Sequence, residues 1–230
     1  MGARAEVESL AELLAGTRGV LLDFDGPVCP LLEDGRDAAL ADRLRQTIQL
    51  PSRQASTDDP LAILTFAYEQ GSATEVEDAL IAGELVAAGV ARATPGGHET
   101  IVACAEATTP VVIVSNNSQA SVEAYLARHG LGELVHGVVG RAYARPDLMK
   151  PNPTPIRQAL AMLGIAPEAC VLVGDSVTDM TVSLLTNVHP IGYSRRASRR
   201  AELIEAGAAM VLDDMRTFAD SVRRKATGNQ

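Results

Sequence analysis

Short apolar runs that end at a polar residue recur along this chain of 230 residues. Residues 20–24, 111–114 and 171–173 consist of Val, Leu, Ile and Phe apart from a single acid. They lack the apolar–polar alternation of a half-buried strand, so they predict parallel strands that are covered on both faces. Weaker candidates for further strands are residues 138–139, 191–193 and 210–212.

Amphipathic segments separate these runs. Residues 118–129, 154–163 and 198–206 repeat apolar side chains at helical spacing, and each segment is followed by a glycine. The second also begins with Thr154-Pro155. Proline in the first turn and glycine after the last turn are typical helix boundaries. Because strands alternate with helices, the sequence predicts an α/β fold with a Rossmann-like parallel sheet.

The region 29–94 breaks this alternation because it contains no convincing strand. Apolar side chains recur instead at helical spacing around residues 40–48, 63–68 and 76–86. Residues 72–75, Ser-Ala-Thr-Glu, have the form of a capping box and predict the start of the third helix.

An irregular loop of this length is uncommon in a globular protein, so the region must pack as a unit of its own. We therefore expect a small all-helical cap, residues 29–94, inserted after the first strand. The α/β core would then consist of residues 1–28 and 95–230.

Composition and charge exclude several classes of partner. The formal net charge is −9 and the sequence pI is about 4.9, which offers no basic face to nucleic acid or to an anionic membrane surface. No apolar run approaches the roughly 20 residues of a membrane span. The acidic N-terminal residues do not resemble a signal peptide, and three cysteines without metal-like spacing are typical of buried, reduced thiols. We expect a cytoplasmic protein, and the sequence does not indicate its oligomeric state.

Two carboxylates, Asp23 and Asp25, follow the first predicted strand. In extended backbone, residues two apart point to the same side, so both carboxylates would face one place at the carboxyl edge of the sheet. Ligands bind at this edge in open α/β sheets. Two carboxylates so close require a cation or a shared proton. A solvated Asp- and Gly-rich turn is the alternative interpretation of this segment alone.

Other polar residues also follow predicted strands. Asp175 ends the third run, and Asp179 would face it if a helix begins at Ser176. Helix capping would explain both acids, and it would equally explain Ser115, which ends the second run. Lys150 is unusual because 18 of the 20 basic residues are arginine and only one other is lysine. A lysine supplies a compact charge where arginine supplies a wide fork.

Taken together, these residues resemble the motifs of the haloacid dehalogenase superfamily of phosphohydrolases, specifically its phosphoglycolate phosphatase-like members with a helical cap of the first type. The four motifs match, in chain order, residues 23–26, residues 111–115, Lys150 and residues 174–179. The predicted cap lies where that family inserts its cap, and residues 94–96 resemble the return to the core. The resemblance covers residues 18 to 215.

The resemblance implies a magnesium-dependent phosphatase that acts on small phosphorylated metabolites. Asp23 would be the nucleophile that forms an aspartyl-phosphate, and Asp25 would be the acid and base. Ser115 and Lys150 would bind the phosphoryl group, with Asn116 as a further binding residue or, equally, a cap of the next helix.

The implied Mg²⁺ site would be made of oxygen atoms. Asp23 and Asp175 would be carboxylate ligands, Asp25 would contribute its backbone carbonyl, and Asp179 would orient the ligands from the second layer. Cap residues such as Glu33, Asp34, Arg36 and Arg53 are candidates for contacts with the leaving group. Pro27 departs from the family pattern, which has Thr or Val there, and its ring removes one backbone donor.

Several alternatives remain at this stage. Dehalogenation is disfavoured because a halide leaving group needs no acid such as Asp25, and Schiff-base phosphonate cleavage is disfavoured because residues 29–94 contain no lysine. A phosphomutase of the same family uses both aspartates and stays open. A signalling receiver module lacks a helical insert. A catalytically weak phosphate-binding regulatory protein is supported only by Pro27.

Overall fold

The computed structural model describes residues 10–32, 35–48 and 57–228. Its centre is a sheet of six parallel strands in the order β3-β2-β1-β4-β5-β6. The strands are β1 (Gly19–Leu22), β2 (Val111–Ser118), β3 (Gly137–Arg141), β4 (Cys170–Gly174), β5 (His189–Tyr193) and β6 (Met210–Leu212). This confirms the predicted α/β class and all three of the weaker strand candidates.

Helices connect the strands and form a separate group after β1. The helices of that group are α1 (Arg36–Arg45), α2 (Pro60–Glu69) and α3 (Ala73–Ala88). The helices that pack with the sheet are α4 (Gly97–Glu106), α5 (Gln119–Arg128), α6 (Thr154–Leu163), α7 (Val177–Leu185), α8 (Ala197–Glu205) and α9 (Met215–Gly228).

Both faces of the sheet are buried, as its continuous apolar strands predict. Val20 and Leu22 of β1 pack into the apolar cluster on one face, and Leu21 between them packs into the cluster on the other. The helices α1, α2 and α3 have their own apolar cluster, to which Leu44 and Leu80 contribute. Burying one such leucine stabilises the fold by about 1.5–3 kcal/mol.

The strand order reverses beside β1. The chain passes from β1 to β2 and β3 on one side and returns through β4 on the other, so β1 pairs with both β2 and β4. Ligands of open α/β sheets bind at such a reversal point, outside the carboxyl ends of the strands. Asp23 follows β1 and Asp175 follows β4 at this edge.

The predicted capping box at residues 72–75 is wrong. Ser72 precedes α3, but its side chain accepts no capping hydrogen bond; its hydroxyl donates to the Ala67 carbonyl at 3.4 Å. Glu75 accepts a hydrogen bond from Thr74 instead. The backbone of Ser72, at φ −117° and ψ 25°, departs from the extended conformation of a capping residue, so its hydroxyl is drawn to the preceding helix.

Two further predictions concern the cysteines and the membrane. Cys29, Cys104 and Cys170 are all buried, as expected, and none of them forms a disulfide bond within the described part of the chain. Among the described residues, no helix combines the length and apolar character that a membrane span requires.

Candidate active site

The Asp23 carboxylate and the Lys150 ammonium form a buried ion pair at the end of β1. Lys150 Nζ donates to Asp23 Oδ1 at 2.9 Å, to Asp179 Oδ1 at 2.6 Å and to the Val114 carbonyl at 2.9 Å. Lys150 reaches this position from the segment before α6. All three ammonium protons therefore have partners, and the side chain is fixed between two carboxylates and the end of β2.

Asp175 and Asp179 approach this pair from β4 and α7. Ser176 caps α7, and its hydroxyl and backbone amide bind Asp179 in a capping box. Asp179 Oδ2 accepts from Ser176 N while its Oδ1 accepts from Lys150, so the residue both caps the helix and orients the lysine. The capping and functional interpretations of Asp179 are therefore compatible.

Glycines allow this close approach. A Cβ at Gly26 would lie 2.4 Å from a carboxylate oxygen of Asp175, and a Cβ at Gly174 would lie 2.4 Å from the Asp179 carboxylate carbon. Gly26 also has φ +101°, a conformation that side chains other than glycine rarely adopt. Because neither residue has a side chain, the Asp175 and Asp179 carboxylates can lie directly against the backbone at the ends of β1 and β4.

Ser115 and the asparagines after it organise the end of β2. The Ser115 hydroxyl donates to Asn117 Oδ1 at 3.0 Å and accepts from Asn117 N at 3.1 Å. Asn116 accepts from Lys150 N at 2.9 Å and donates to the Lys150 carbonyl at 3.2 Å, so it holds the backbone of the lysine segment. Ser118, and neither Ser115 nor an asparagine, caps α5. The expectation that Ser115 or Asn116 caps this helix is thus wrong.

Asp25 lies slightly outside the buried cluster, between the core and the helical segment. Its Oδ1 accepts from Leu31 N at 3.0 Å, which fixes the turn after β1. Pro27 is buried in that turn, and its carbonyl lies 2.6 Å from the place that a Cβ of Gly97 would occupy. Thr94 closes the turn by donating its hydroxyl to the Gly26 carbonyl at 2.5 Å.

The carboxylates of this cluster repel one another. Burial, and then the charges of Asp179 and Asp175, raise the pKa of Asp23 well above its ordinary value, although Lys150 acts in the opposite direction. Burial and the neighbouring Asp179 and Asp25 raise the pKa of Asp175 to about 7. Burial by itself would lower the pKa of Lys150, but Asp179 and Asp23 outweigh it and raise that pKa, so the ammonium keeps its charge.

This donor set fits a hard divalent cation. Oxygen atoms of Asp23, Asp175 and Asp179 lie within 4.8 Å of one another. Asp179 already binds Lys150 and Ser176, whereas Asp23 Oδ2 has no hydrogen-bond donor in the described part of the chain. Mg²⁺ or a similar ion would neutralise these clustered carboxylates, and oxygen atoms are the ligands that it prefers.

A cavity of about 850 Å³ opens above the cluster. Its core side is lined by Asp23, Asp25, Ser115, Lys150 and Asp175 among others. Its other side consists of residues from the segment after Asp25 and from α1, α2 and α3. A second cavity, of about 950 Å³, shares Gly26, Pro30 and Asp175 with the first and is lined by Arg92, Arg195, Arg196 and Arg199.

A buried ion cluster joins α3 to the sheet, and the sequence patterns did not predict it. Arg141, at the end of β3, donates to Glu77 at 2.8 Å, to Glu84 at 2.8 Å and to the Asn116 carbonyl at 2.7 Å. Glu84 also accepts from Ser118 N at 2.9 Å. Two glutamates seven residues apart on the apolar face of a helix were the available signal.

Of the residues predicted to contact the leaving group, only Arg36 lies within the described part of the chain. Its guanidinium donates to the Pro30 carbonyl at 3.5 Å, and it does not line the cavity. Glu33, Asp34 and Arg53 lie outside the described residues.

Comparisons with known proteins agree with this architecture. The curated phosphoglycolate phosphatase of Rhodospirillum rubrum is 28% identical over 126 residues, which is 55% of this chain and 51% of that protein. A "Probable phosphoglycolate phosphatase" of Pseudomonas putida is 24% identical over 96% of this chain and 84% of its own length. The chain spans about half the length of most curated relatives that it matches.

Among solved structures, CbbY from Rhodobacter sphaeroides in complex with phosphate has the same fold. Its TM-score is 0.68 at 17% identity, over 87% of this chain and 95% of that one. A HAD-hydrolase-like family model matches residues 148–218, and the model of the haloacid dehalogenase-like hydrolases matches residues 17–182. Because that second match extends from β1 through the Asp175 segment, the chain belongs to the haloacid dehalogenase-like hydrolase family.

Proposed function

We propose that this protein is a Mg²⁺-dependent phosphatase that hydrolyses small-molecule phosphate monoesters, with Asp23 as its nucleophile. The observation that carries this proposal is the buried Asp23–Lys150–Asp179 arrangement at the reversal point of the sheet. The relatives named as phosphoglycolate phosphatases support the reaction class.

In this mechanism Asp23 attacks phosphorus and forms an aspartyl-phosphate, while the bond from phosphorus to the leaving oxygen breaks. The attack needs Asp23 to be ionised, and Lys150 Nζ at 2.9 Å favours that state. Lys150 also lies where an equatorial phosphoryl oxygen would be bound beside the Ser115 hydroxyl. Both groups are buried and held in place by hydrogen bonds to neighbouring residues, and they would stabilise developing charge on the phosphoryl group.

Asp25 is the proposed acid and base. Asp25 lines the cavity that would hold the leaving group, and its carboxylate is held by a hydrogen bond from Leu31 N. It would give a proton to the departing alkoxide and later take one from the water that cleaves the aspartyl-phosphate.

Asp23, Asp175 and the backbone carbonyl of Asp25 would hold the Mg²⁺ ion, with Asp179 orienting them. When bound, this ion would neutralise the phosphate dianion that otherwise repels the nucleophile. The remaining polar contacts, such as those of Asn116 and Asn117, keep Lys150 and Ser115 in place.

A phosphomutase of the same family would use the same two aspartates. The products of turnover therefore distinguish a phosphatase from a mutase. Purified protein would be assayed with a panel of phosphate esters in Mg²⁺ and in EDTA, beside an Asp23→Asn variant. Release of inorganic phosphate that requires Mg²⁺ and is lost in the variant is expected. Transfer of the phosphoryl group to a sugar without phosphate release would indicate a mutase, and tight binding without turnover would contradict the proposal.

A further inference from the structure

The cavity wall opposite the catalytic residues is acidic, and this property bears on the substrate. We infer that the wall selects phosphate esters of alcohols that carry a positively charged amine and disfavours esters of anionic alcohols such as glycolate. The inference rests on the proposed phosphatase function and names the substrate class of the same site.

The charged residues of this wall are all carboxylates. Among described residues on the helical side of the cavity, those with a charge are Asp37, Asp58, Asp59 and Glu84. The rest are apolar or neutral, as Leu61 and Thr65 are. The single lysine of the cavity, Lys150, is fully engaged by the catalytic carboxylates on the other side.

The two arginines that pair with carboxylates of the wall, Arg45 and Arg141, do not neutralise it, because each of them bridges two carboxylates. Arg45 pairs with Asp58 at 3.4 Å and also with Asp42. Arg141 pairs with Glu84 at 2.8 Å and also with Glu77 at 2.8 Å. Neither arginine lines the cavity, so a leaving group there meets carboxylates first.

Asp37 and Asp59 have no arginine among their hydrogen-bond partners in the described part of the chain. Asp37 accepts from Ala38 N at 2.8 Å, and Asp59 accepts from Leu61 N at 2.9 Å as the cap of α2. Both residues are exposed, and both line the cavity. Neither carboxylate would have to break an ion pair with an arginine in order to attract a cation.

The charge of the whole region has the same sign. Residues 29–94 contain eleven carboxylates and five arginines, a formal charge of −6 within a chain of −9. Of this −6, the charged residues outside the described part, Glu33, Asp34 and Arg53, account for −1. An anionic leaving group would therefore be repelled by the wall that must enclose it, and a cationic one would be attracted.

Three esters of matched size test this inference: phosphoethanolamine, ethylene glycol monophosphate and phosphoglycolate. Each carries a two-carbon leaving group, which is cationic, neutral or anionic respectively. We expect kcat/KM to fall in that order, with roughly a tenfold or greater difference between the first and the last at low ionic strength, and a smaller difference in high salt because exposed charges are screened.

Two variants connect this preference to the wall. Asp37→Asn and Asp59→Asn, singly and combined, each remove one charge, and asparagine keeps the capping ability of residue 59. The ratio of kcat/KM for the cationic ester to that for the anionic ester should fall several-fold in the double variant. Glu69→Gln is the matched control, since Glu69 is exposed at the end of α2 and does not line the cavity; it should leave the ratio unchanged. Thermal melting would confirm that each variant folds.

A p-nitrophenyl phosphate assay separates the two proposals. If this ester is hydrolysed in an Asp23-dependent way but phosphoglycolate is the best of the three matched esters, the phosphatase function stands and the inference is overturned. That result would indicate that the leaving group lies in the second cavity, which is lined by arginines such as Arg92 and Arg199. An unchanged ratio in the double variant would also overturn the inference, and absence of any Asp23-dependent hydrolysis would overturn both.

Discussion

The Arg141 guanidinium, on the last residue of β3, lies 2.8 Å from the Glu84 carboxylate of α3, and both side chains are 0% exposed. This pair joins the helical segment to the sheet edge that carries the candidate site. Arg141 also donates to the Asn116 carbonyl, one residue beyond Ser115. The position of α3 is thereby linked directly to the end of β2, where we expect the phosphoryl group to bind.

Removing this arginine should destabilise the protein strongly. Arg141→Met would leave Glu77 and Glu84 buried without a cation, and breaking a buried pair in this way costs about 3–5 kcal/mol. Urea unfolding followed by circular dichroism would measure the loss. Arg145→Met is the control because Arg145 pairs with Asp147 on the surface, where an ion pair contributes little. Equal losses in the two variants would contradict a special role for the buried cluster.

The loss of kcat/KM on replacing Asp25 should grow with the pKa of the leaving alcohol. Without an acid, an alkoxide of high pKa departs slowly, whereas p-nitrophenolate departs without a proton. We therefore expect Asp25→Asn to lower kcat/KM by roughly 10²–10⁴-fold for alkyl phosphates and much less for p-nitrophenyl phosphate. Steady-state rates across esters of graded leaving-group pKa would show this as a steeper dependence in the variant. A uniform loss across the series would indicate that Asp25 only positions the turn through Leu31.

The fold could be predicted because its signals are local. Continuous apolar strands, glycines after helices and polar residues at strand ends are each visible within a few neighbouring residues, and the parallel sheet brings its carboxyl ends to one edge. Asp23 follows the first predicted strand, and Lys150 precedes a predicted helix. The two residues are 127 apart in the chain, yet they meet at this edge of the sheet.

The ion cluster could not be predicted in the same way. Arg141 lies 64 residues from Glu77 and 57 residues from Glu84 in the chain. No local sequence pattern indicates which face of a helix packs against which strand end. The capping box at residues 72–75 failed for a local reason. Ser72 has the right spacing, but its backbone N–H and its hydroxyl both bind the Ala67 carbonyl at the end of the preceding helix.

Binding of Mg²⁺ should be visible without any assay of activity. A cation held by Asp23 and Asp175 would bind the folded state alone, which stabilises it by about 2.7 kcal/mol when the free ion is at 100 times its Kd. We expect Tm to rise with Mg²⁺ in the wild-type protein and to change little in Asp175→Asn, because that variant loses a proposed ligand. Na⁺ at matched ionic strength is the control for screening. An equal rise in the variant would place the binding site elsewhere.

A second stability effect should follow pH through His98. Its Nε2 lies 2.9 Å from the Tyr125 hydroxyl, and burial, followed by the nearby His129, lowers the pKa of His98 from its ordinary value of 6.5. In the window between the lowered pKa and 6.5 the unfolded chain binds more protons than the folded one, so stability rises with pH there. The stabilising contribution is complete above pH 6.5 and is lost as the pH falls through the lowered value.

In His98→Gln this contribution is absent, while an amide remains to bond Tyr125. Urea unfolding at several pH values between 5 and 8 should show a shallower decline toward acid in the variant. The Asp23 and Asp175 carboxylates titrate in both proteins and cancel in the difference, so parallel curves would mean that His98 does not titrate as this environment implies.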